Sequence, residues 1–447
     1  MLITEPSDLD PASTEPITIG RPLLDHLASI RSAVLDALAS GGPVYGVNTG
    51  MGALSKHRLT DDEQRVHQRN LLLGRAVGGP PWLPADEARA VLIGRLRTFL
   101  TGDAGVSVEL IQQLVAVINS GRRPAIPASG AGSAGEIIPL AHAFGSLDLD
   151  LGPKEGIALL AGIPGATGRA ALQASRTRRL AGQLTAVAAA SIAVIGANRD
   201  PYHPLAARGD DVLGAELTRL RDLAGPEPDP RSLQAPVSFR VAGHVIAHVR
   251  RSLDQLEAAV DRAFDGVNDS PAYLDGEFIG TAGFHGIDLA AHCDHLTAAL
   301  AHAAEVSTAR LHRLLDPAVT GLSAQLAHEP GPQAGLVAVH KRAVATSHAF
   351  RRLTLPSAIS TAETSNGQED VQSFSWEAVG VLGEAVRLTR EVTACELLAV
   401  HQAFALSKRP IPGGLHELLR AVANVVPPIE ADRPFGEDLT RLLESVV

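Results

Sequence analysis

Three long stretches of this 447-residue chain contain no proline and carry Ala, Leu and Val at three- and four-residue steps: residues 240–265, 287–315 and 377–407. That spacing predicts amphipathic helices. The first stretch ends at Gly266, a plausible C-cap, and the second stops before Asp316-Pro317. At 1.5 Å per residue, 287–315 would form a helix of roughly 40 Å. Aromatic residues are only 3% of the chain and hydrophobic residues 45%, so Ala, Leu and Val must build most of the core. Long Ala-rich helices pack closely as an antiparallel bundle, and helices this long usually bury faces against other subunits as well.

The first half is punctuated differently. Gly41-Gly42-Pro43, Gly78 to Pro81, Gly130 to Gly135 and Gly162 to Gly168 each mark a loop. Amphipathic stretches at 61–76, 85–101 and 107–120 lie between them. We expect an N-terminal domain over 1–190 and a helical-bundle domain with C-terminal helices over 191–447. Residues 1–15, acidic and proline-bearing, read as a loosely ordered tail or an edge strand, and they lack the basic start and apolar segment of a signal peptide.

Charge and composition exclude several function classes. A net charge of −10 and a pI of about 5.9 argue against phosphate-backbone binding. No apolar run approaches the ~20 residues of a membrane helix. A soluble cytoplasmic protein is expected. Cys293 and Cys395 have no metal-like spacing and read as two buried thiols. The 17 histidines are dispersed. His244 and His248 share a helix face, a pattern that packing explains without a metal.

The chemistry concentrates in residues 126–142, Ile-Pro-Ala-Ser-Gly-Ala-Gly-Ser-Ala-Gly-Glu-Ile-Ile-Pro-Leu-Ala-His. This stretch resembles the signature loop of the aromatic amino acid ammonia-lyases and aminomutases, Gly-x-x-Gly-Ala-Ser-Gly-Asp-Leu-x-Pro-Leu-x-His. In that family the Ala-Ser-Gly triplet cyclises into a methylidene-imidazolone, an electrophile that attacks the substrate. Here Gly130, Gly132 and Gly135 fall in register, with one residue deleted between the first two. The triplet reads Ser133-Ala134-Gly135, and alanine has no hydroxyl to eliminate. A literal Ala128-Ser129-Gly130 lies upstream, five residues from the family's position. Ring closure at 133–135 without the methylidene is also conceivable, but it would leave no electrophilic carbon.

The resemblance runs from about residue 40 to 400 in the family's order. Val44 to Gly52 is similar to Tyr-Gly-Val-Asn-Thr-Gly-Phe-Gly, and Gln68 to Gly78 to Gln-x-Asn-Leu-Leu-x-Ser-His-Ala-x-Gly. Lys154 to Leu159 resembles Lys-Glu-Gly-Leu-Ala-Leu, and Asn268 to Pro271 resembles Thr-Asp-Asn-Pro. Phe284-His285-Gly286, Ala309 to Gly321 and Gln368-Glu369-Asp370 match further segments. The resemblance implies a mainly α, ammonia-lyase-like fold with a loop-rich N-terminal part and a long central helical bundle. It also implies a homotetramer with active sites shared between subunits.

Its functional residues carry over unevenly. Tyr45 matches a tyrosine that serves as general base, and Glu369 matches a residue at the amine end of the substrate. Arg231 stands where the family has a second catalytic tyrosine. Gln234 replaces the arginine that clamps the substrate carboxylate and lacks its charge and bidentate fork. Gly283 replaces an asparagine, Arg75 a selectivity histidine, Gly74 the serine before it, and Val371 a histidine of histidine ammonia-lyases. Tyr45, Glu369 and Arg231 are therefore the candidate catalytic residues. Arg75, Gln234, Gly283, Gln368, Gln372 and Ala134 are the candidate substrate-binding residues.

Loss of the electrophile, the clamp, the second tyrosine and the asparagine points away from deamination of a free amino acid. It points to elimination, conjugate addition or cyclisation without a cofactor, with Tyr45 as acid/base. Arg75 and Arg231 would suit an anionic or carbonyl-rich small-molecule substrate if they face the pocket. Otherwise they are solvated or paired with a carboxylate such as Glu369. Two alternatives stand beside this reading: a conventional ammonia-lyase or aminomutase using Ala128-Ser129-Gly130, and an inactive ligand-binding pseudoenzyme.

Overall fold

The computed structural model describes residues 1–359 and 361–447, with Ala53 described by its backbone only. The chain is mainly helical. The three expected stretches fold as helices Ala242–Asp265, Ile287–Leu314 and Ser375–Leu406. A fourth long helix, Pro164–Val194, was not expected from the sequence, where Gly162 to Gly168 read as a loop. Steric packing explains the helix. Pro164 opens the helix, where its missing N–H costs nothing. Gly168 is a packing residue: a Cβ there would lie 2.2 Å from the carbonyl oxygen of Ala90. Gly94, on helix Ala85–Phe99, meets the carbonyl of Pro164 at the same distance. The two helices therefore cross backbone to backbone. Only Gly162, at φ +78°, keeps a turn conformation.

Two compact units interleave along the chain. The first comprises residues 1–175, 255–294 and 356–381, and the second 176–254, 295–355 and 382–447. The expected cut at 190/191 falls inside helix Pro164–Val194. Strand is confined, among the described residues, to two small pairings in the first unit. Leu2–Ile3 lies parallel to Thr18–Ile19, so the N-terminus is an edge strand. Ala272–Leu274 pairs antiparallel with Glu277–Ile279 across Asp275-Gly276, both at positive φ, as a tight hairpin requires.

Each unit has its own core. In the first, Leu92, Ile93, Leu96, Phe99, Leu140 and Phe144 are fully buried. The second is organised around a buried carboxylate. Glu396 accepts from Arg310 Nε and Nη2 at 2.7 and 2.9 Å, from Ser191 Oγ at 2.7 Å, and from Ser307 Oγ. Three helices thus share one ion pair in an otherwise Ala/Leu interior. Cys293 and Cys395 are buried and free, and burial pushes the Cys395 thiol up to about 12. His248 packs against His295 at 5.4 Å between ring centres. Among the described residues, no group of His, Cys, Asp and Glu is placed to hold a metal, and no helix is long and apolar enough to cross a membrane.

Candidate active site

Loops of the first unit converge on a cavity of about 260 Å³. Its polar wall is Tyr45, Ser270, Gln368 and Glu369, and its apolar wall includes Met51, Ala134, Ile137, Ile157, Leu160 and Phe284. Tyr45 sits in the turn before Gly46. Its phenol oxygen accepts the Gly52 N–H at 2.8 Å, which fixes the ring while leaving the O–H free to act on a ligand. Gly46 favours the turn: its φ is +68°, in the left-handed region, and a Cβ would press against Ile157 Cδ1.

Carboxylates grip the 130–134 loop at both ends. Glu377, in the first turn of helix Ser375–Leu406, accepts the N–H groups of Gly130 and Ala131 at 3.0 and 2.9 Å. Glu369 accepts the Ala134 N–H at 2.9 Å and the Ser365 hydroxyl at 3.2 Å. Within the loop, Ser133 Oγ donates to the Gly135 carbonyl at 2.9 Å. Glu136 follows at once and is fully buried. Its two oxygens accept the N–H groups of Gly165 and Ala166 at 2.9 and 2.7 Å, at the start of helix Pro164–Val194. Burial pushes its carboxyl up to about 8, against the pull of those amides and of Arg95 and Arg169.

The other expected residues distribute as follows. Arg75 stands beside the cavity rather than in its wall. It donates to the Leu71 carbonyl at 3.3 Å and touches Met51 Sδ at 3.7 Å. Burial pulls its guanidinium below the ordinary value, while Tyr45 and Glu369 act in the opposite sense, so it shares their field. Gln372 is buried and its amide is fully engaged: Oε1 accepts from Thr361 and Ala362, and Nε2 donates to the Glu369 carbonyl. It shapes the 361–372 segment and does not line the cavity. Gly283 is held by close approach, because a Cβ there would fall 1.9 Å from the Val267 carbonyl oxygen. Arg231 and Gln234 belong to the second unit, on an exposed segment, with the Arg231 guanidinium lying over Gly321.

The residues present do not fit a methylidene-imidazolone in the wall. The middle residue of the triplet at the cavity is Ala134, which cannot supply the exocyclic carbon by dehydration. Ser129 of the upstream triplet is exposed and is not a wall residue. Sequence reasoning did not single out Glu377 or the apolar wall. Glu377 carries no motif; only its position two residues into a helix, facing the Gly130 and Ala131 amides, distinguishes it.

The profile of the aromatic amino acid lyase family matches residues 9–148 and 143–425. Histidine ammonia-lyase of Deinococcus radiodurans is 28% identical over 97% of this chain and 90% of its own length. That of Aromatoleum aromaticum is 30% identical over 93% and 86%. In structure, the ergothionase of Treponema denticola superposes with a TM-score of 0.90 at 22% identity, covering 99% of this chain and 98% of that one. Phenylalanine aminomutase of Pantoea agglomerans gives 0.91 at 20%, covering 100% and 98%. The chain belongs to the aromatic amino acid lyase family and has the ammonia-lyase/aminomutase fold. Family members are lyases, and this chain is an enzyme of that group.

Proposed function

We propose that this chain catalyses elimination, or the reverse conjugate addition, or a related cyclisation, without a methylidene-imidazolone. Tyr45 exchanges the proton at the substrate carbon, and water or an alcohol leaves from, or adds to, the neighbouring carbon. The single observation that carries the reading is Ala134. A methyl group stands in the cavity wall at the place of the dehydratable serine, and the amide before it is held by Glu369. Glu369 is the second acid/base group. Arg75 supplies positive field at the Met51 side, which suits a carboxylate or another carbonyl-rich group on the substrate. We further propose a homotetramer. The exposed segment 231–234, with Leu233 82% exposed, would then bring Arg231 and Gln234 to the cavity of a neighbouring copy.

The relatives named histidine ammonia-lyase favour a second reading, conventional deamination, for which this chain would use Ala128-Ser129-Gly130. Intact mass decides between them. The encoded mass, with no family absorbance band, supports our reading. A mass short by both waters, one from ring closure and one from dehydration of Ser129, mapped to residues 128–130, establishes the second. Tyr45→Phe then tests the chemistry. General acid–base catalysis contributes about 10²–10⁴-fold, and a loss of turnover in that range with an unchanged fold is expected. Undiminished turnover removes Tyr45 from the mechanism.

A further inference from the structure

Behind the cavity floor lies a second, much smaller space. It leaves about 10 Å³ for the centre of a water-sized sphere, and its lining includes Arg95, Thr101, Asp103, Phe264, Asn268 and Asp269. Three buried polar atoms of these residues have no hydrogen-bond partner within the chain: Arg95 Nε, Asn268 Oδ1 and Asp269 Oδ1. Their other groups are engaged. Arg95 Nη2 donates to the Ala161 carbonyl and Nη1 to Thr98 Oγ1 at 3.4 Å. Asn268 Nδ2 donates to the Ala263 carbonyl at 3.1 Å. Asp269 Oδ2 accepts from Lys154 Nζ at 2.6 Å. So one donor and two acceptors remain, all on residues that line one space.

We infer that this space binds one neutral molecule, a water, which accepts from Arg95 Nε–H and donates one hydrogen each to Asn268 Oδ1 and Asp269 Oδ1. The complementarity is complete, since a water offers lone pairs and two hydrogens. The volume is at the lower end of what one water needs and excludes a second. The free hydrogen-bonding groups disfavour ions of either sign: a cation would meet the Arg95 Nε–H, and an anion would meet the oxygens of Asn268 and Asp269. Asp103, whose carboxyl burial raises, borders the space with Thr101. Orphaned buried polar groups are rare in folded proteins because water or protein normally satisfies them.

The site is one peptide away from the substrate cavity. Ala161, whose carbonyl binds Arg95, and Gly162 both line that cavity. A Cβ on Gly162 would lie 2.4 Å from Asn268 Oδ1. The bound water therefore joins the Arg95 guanidinium to residues 268–269 behind the Ala161-Gly162 floor, whatever reaction occurs above it.

A crystal structure of the full chain that resolves ordered water tests the site. A single density peak within hydrogen-bond distance of all three atoms is expected. An empty space, direct pairing of the three side chains, or anomalous signal after a rubidium soak overturns the inference. In solution, water magnetic relaxation dispersion should count one long-lived water fewer per protomer in Asn268→Leu than in the wild type. An unchanged count in a folded variant also overturns it. If that variant does not fold, the wild-type density stands as the test. No outcome depends on turnover, so failure here leaves the proposed reaction untouched.

Discussion

Lys154→Met tests whether the walls of the cavity depend on one buried ion pair. Lys154 precedes helix Glu155–Leu160, which carries the wall residues Ile157 and Leu160. Its ammonium lies 2.6 Å from Asp269 Oδ2 and 2.7 Å from the Ala104 carbonyl, and the two side chains are 1% and 6% exposed. Removing the cation leaves Asp269 charged in the interior with one oxygen already without a protein partner. Breaking such a buried pair costs about 3–5 kcal/mol. Lys154 also sits at φ 72°, a conformation that methionine tolerates no better, so the backbone adds nothing to the difference. Native-state hydrogen exchange provides the assay. The Ala158 amide, which bonds to the Lys154 carbonyl at 3.0 Å, should exchange roughly 10²–10⁴-fold faster in the variant, at about 1.4 kcal/mol per decade. Lys154→Met/Asp269→Asn removes the stranded charge and should recover about 1–3 kcal/mol relative to the sum of the single changes. A loss of about 1 kcal/mol or less, the worth of an exposed pair, would refute the argument.

Other positions give sharper chemical readouts. Glu136 is held up to about 8, above the ~4.3 of an unfolded glutamate, so the native state binds its proton more tightly. Its contribution is full below the unfolded value and is lost as pH rises through about 8. Denaturation midpoints of Glu136→Gln should therefore fall less between about pH 5 and 8 than those of the wild type; parallel curves would mean the carboxyl is already ionised at neutral pH. Ala134→Ser restores the missing hydroxyl in a loop still gripped by Glu377 and Glu369. Dehydration of 133–135, read as intact-mass loss, is expected, and an unchanged mass would show that this loop no longer bends for cyclisation. Gly283→Asn restores the family residue but drives Cβ to 1.9 Å from the Val267 carbonyl. Overpacking of that kind costs about 1–3 kcal/mol or more, and thermal melting of the variant should drop; an unchanged melt would mean the 267–283 backbones separate freely.

The sequence announces what depends on local pattern. Apolar spacing located the helices Ala242–Asp265, Ile287–Leu314 and Ser375–Leu406, and Tyr45 and Ala134, each followed by a glycine, line the cavity. What it conceals depends on distant backbone. Gly165 and Gly168 carry a loop-like composition, yet Gly168 faces the Ala90 carbonyl, a contact set by a segment nearly eighty residues away. Gly283 looks like a lost asparagine, whereas the nearby Val267 carbonyl leaves no room for any side chain. The same distinction separates the site's own residues. Gln372 lies two residues beyond the Gln368-Glu369-Asp370 motif, but its amide is engaged with Thr361, Ala362 and the Glu369 carbonyl. Glu377 has no motif and holds two amides of the loop that bears Ala134. A lost serine alone would be compatible with decay of the whole site. The loop that bears Ala134 is instead fixed at both ends by carboxylates, beside a cavity that Tyr45 lines, and that is the arrangement the proposed chemistry needs.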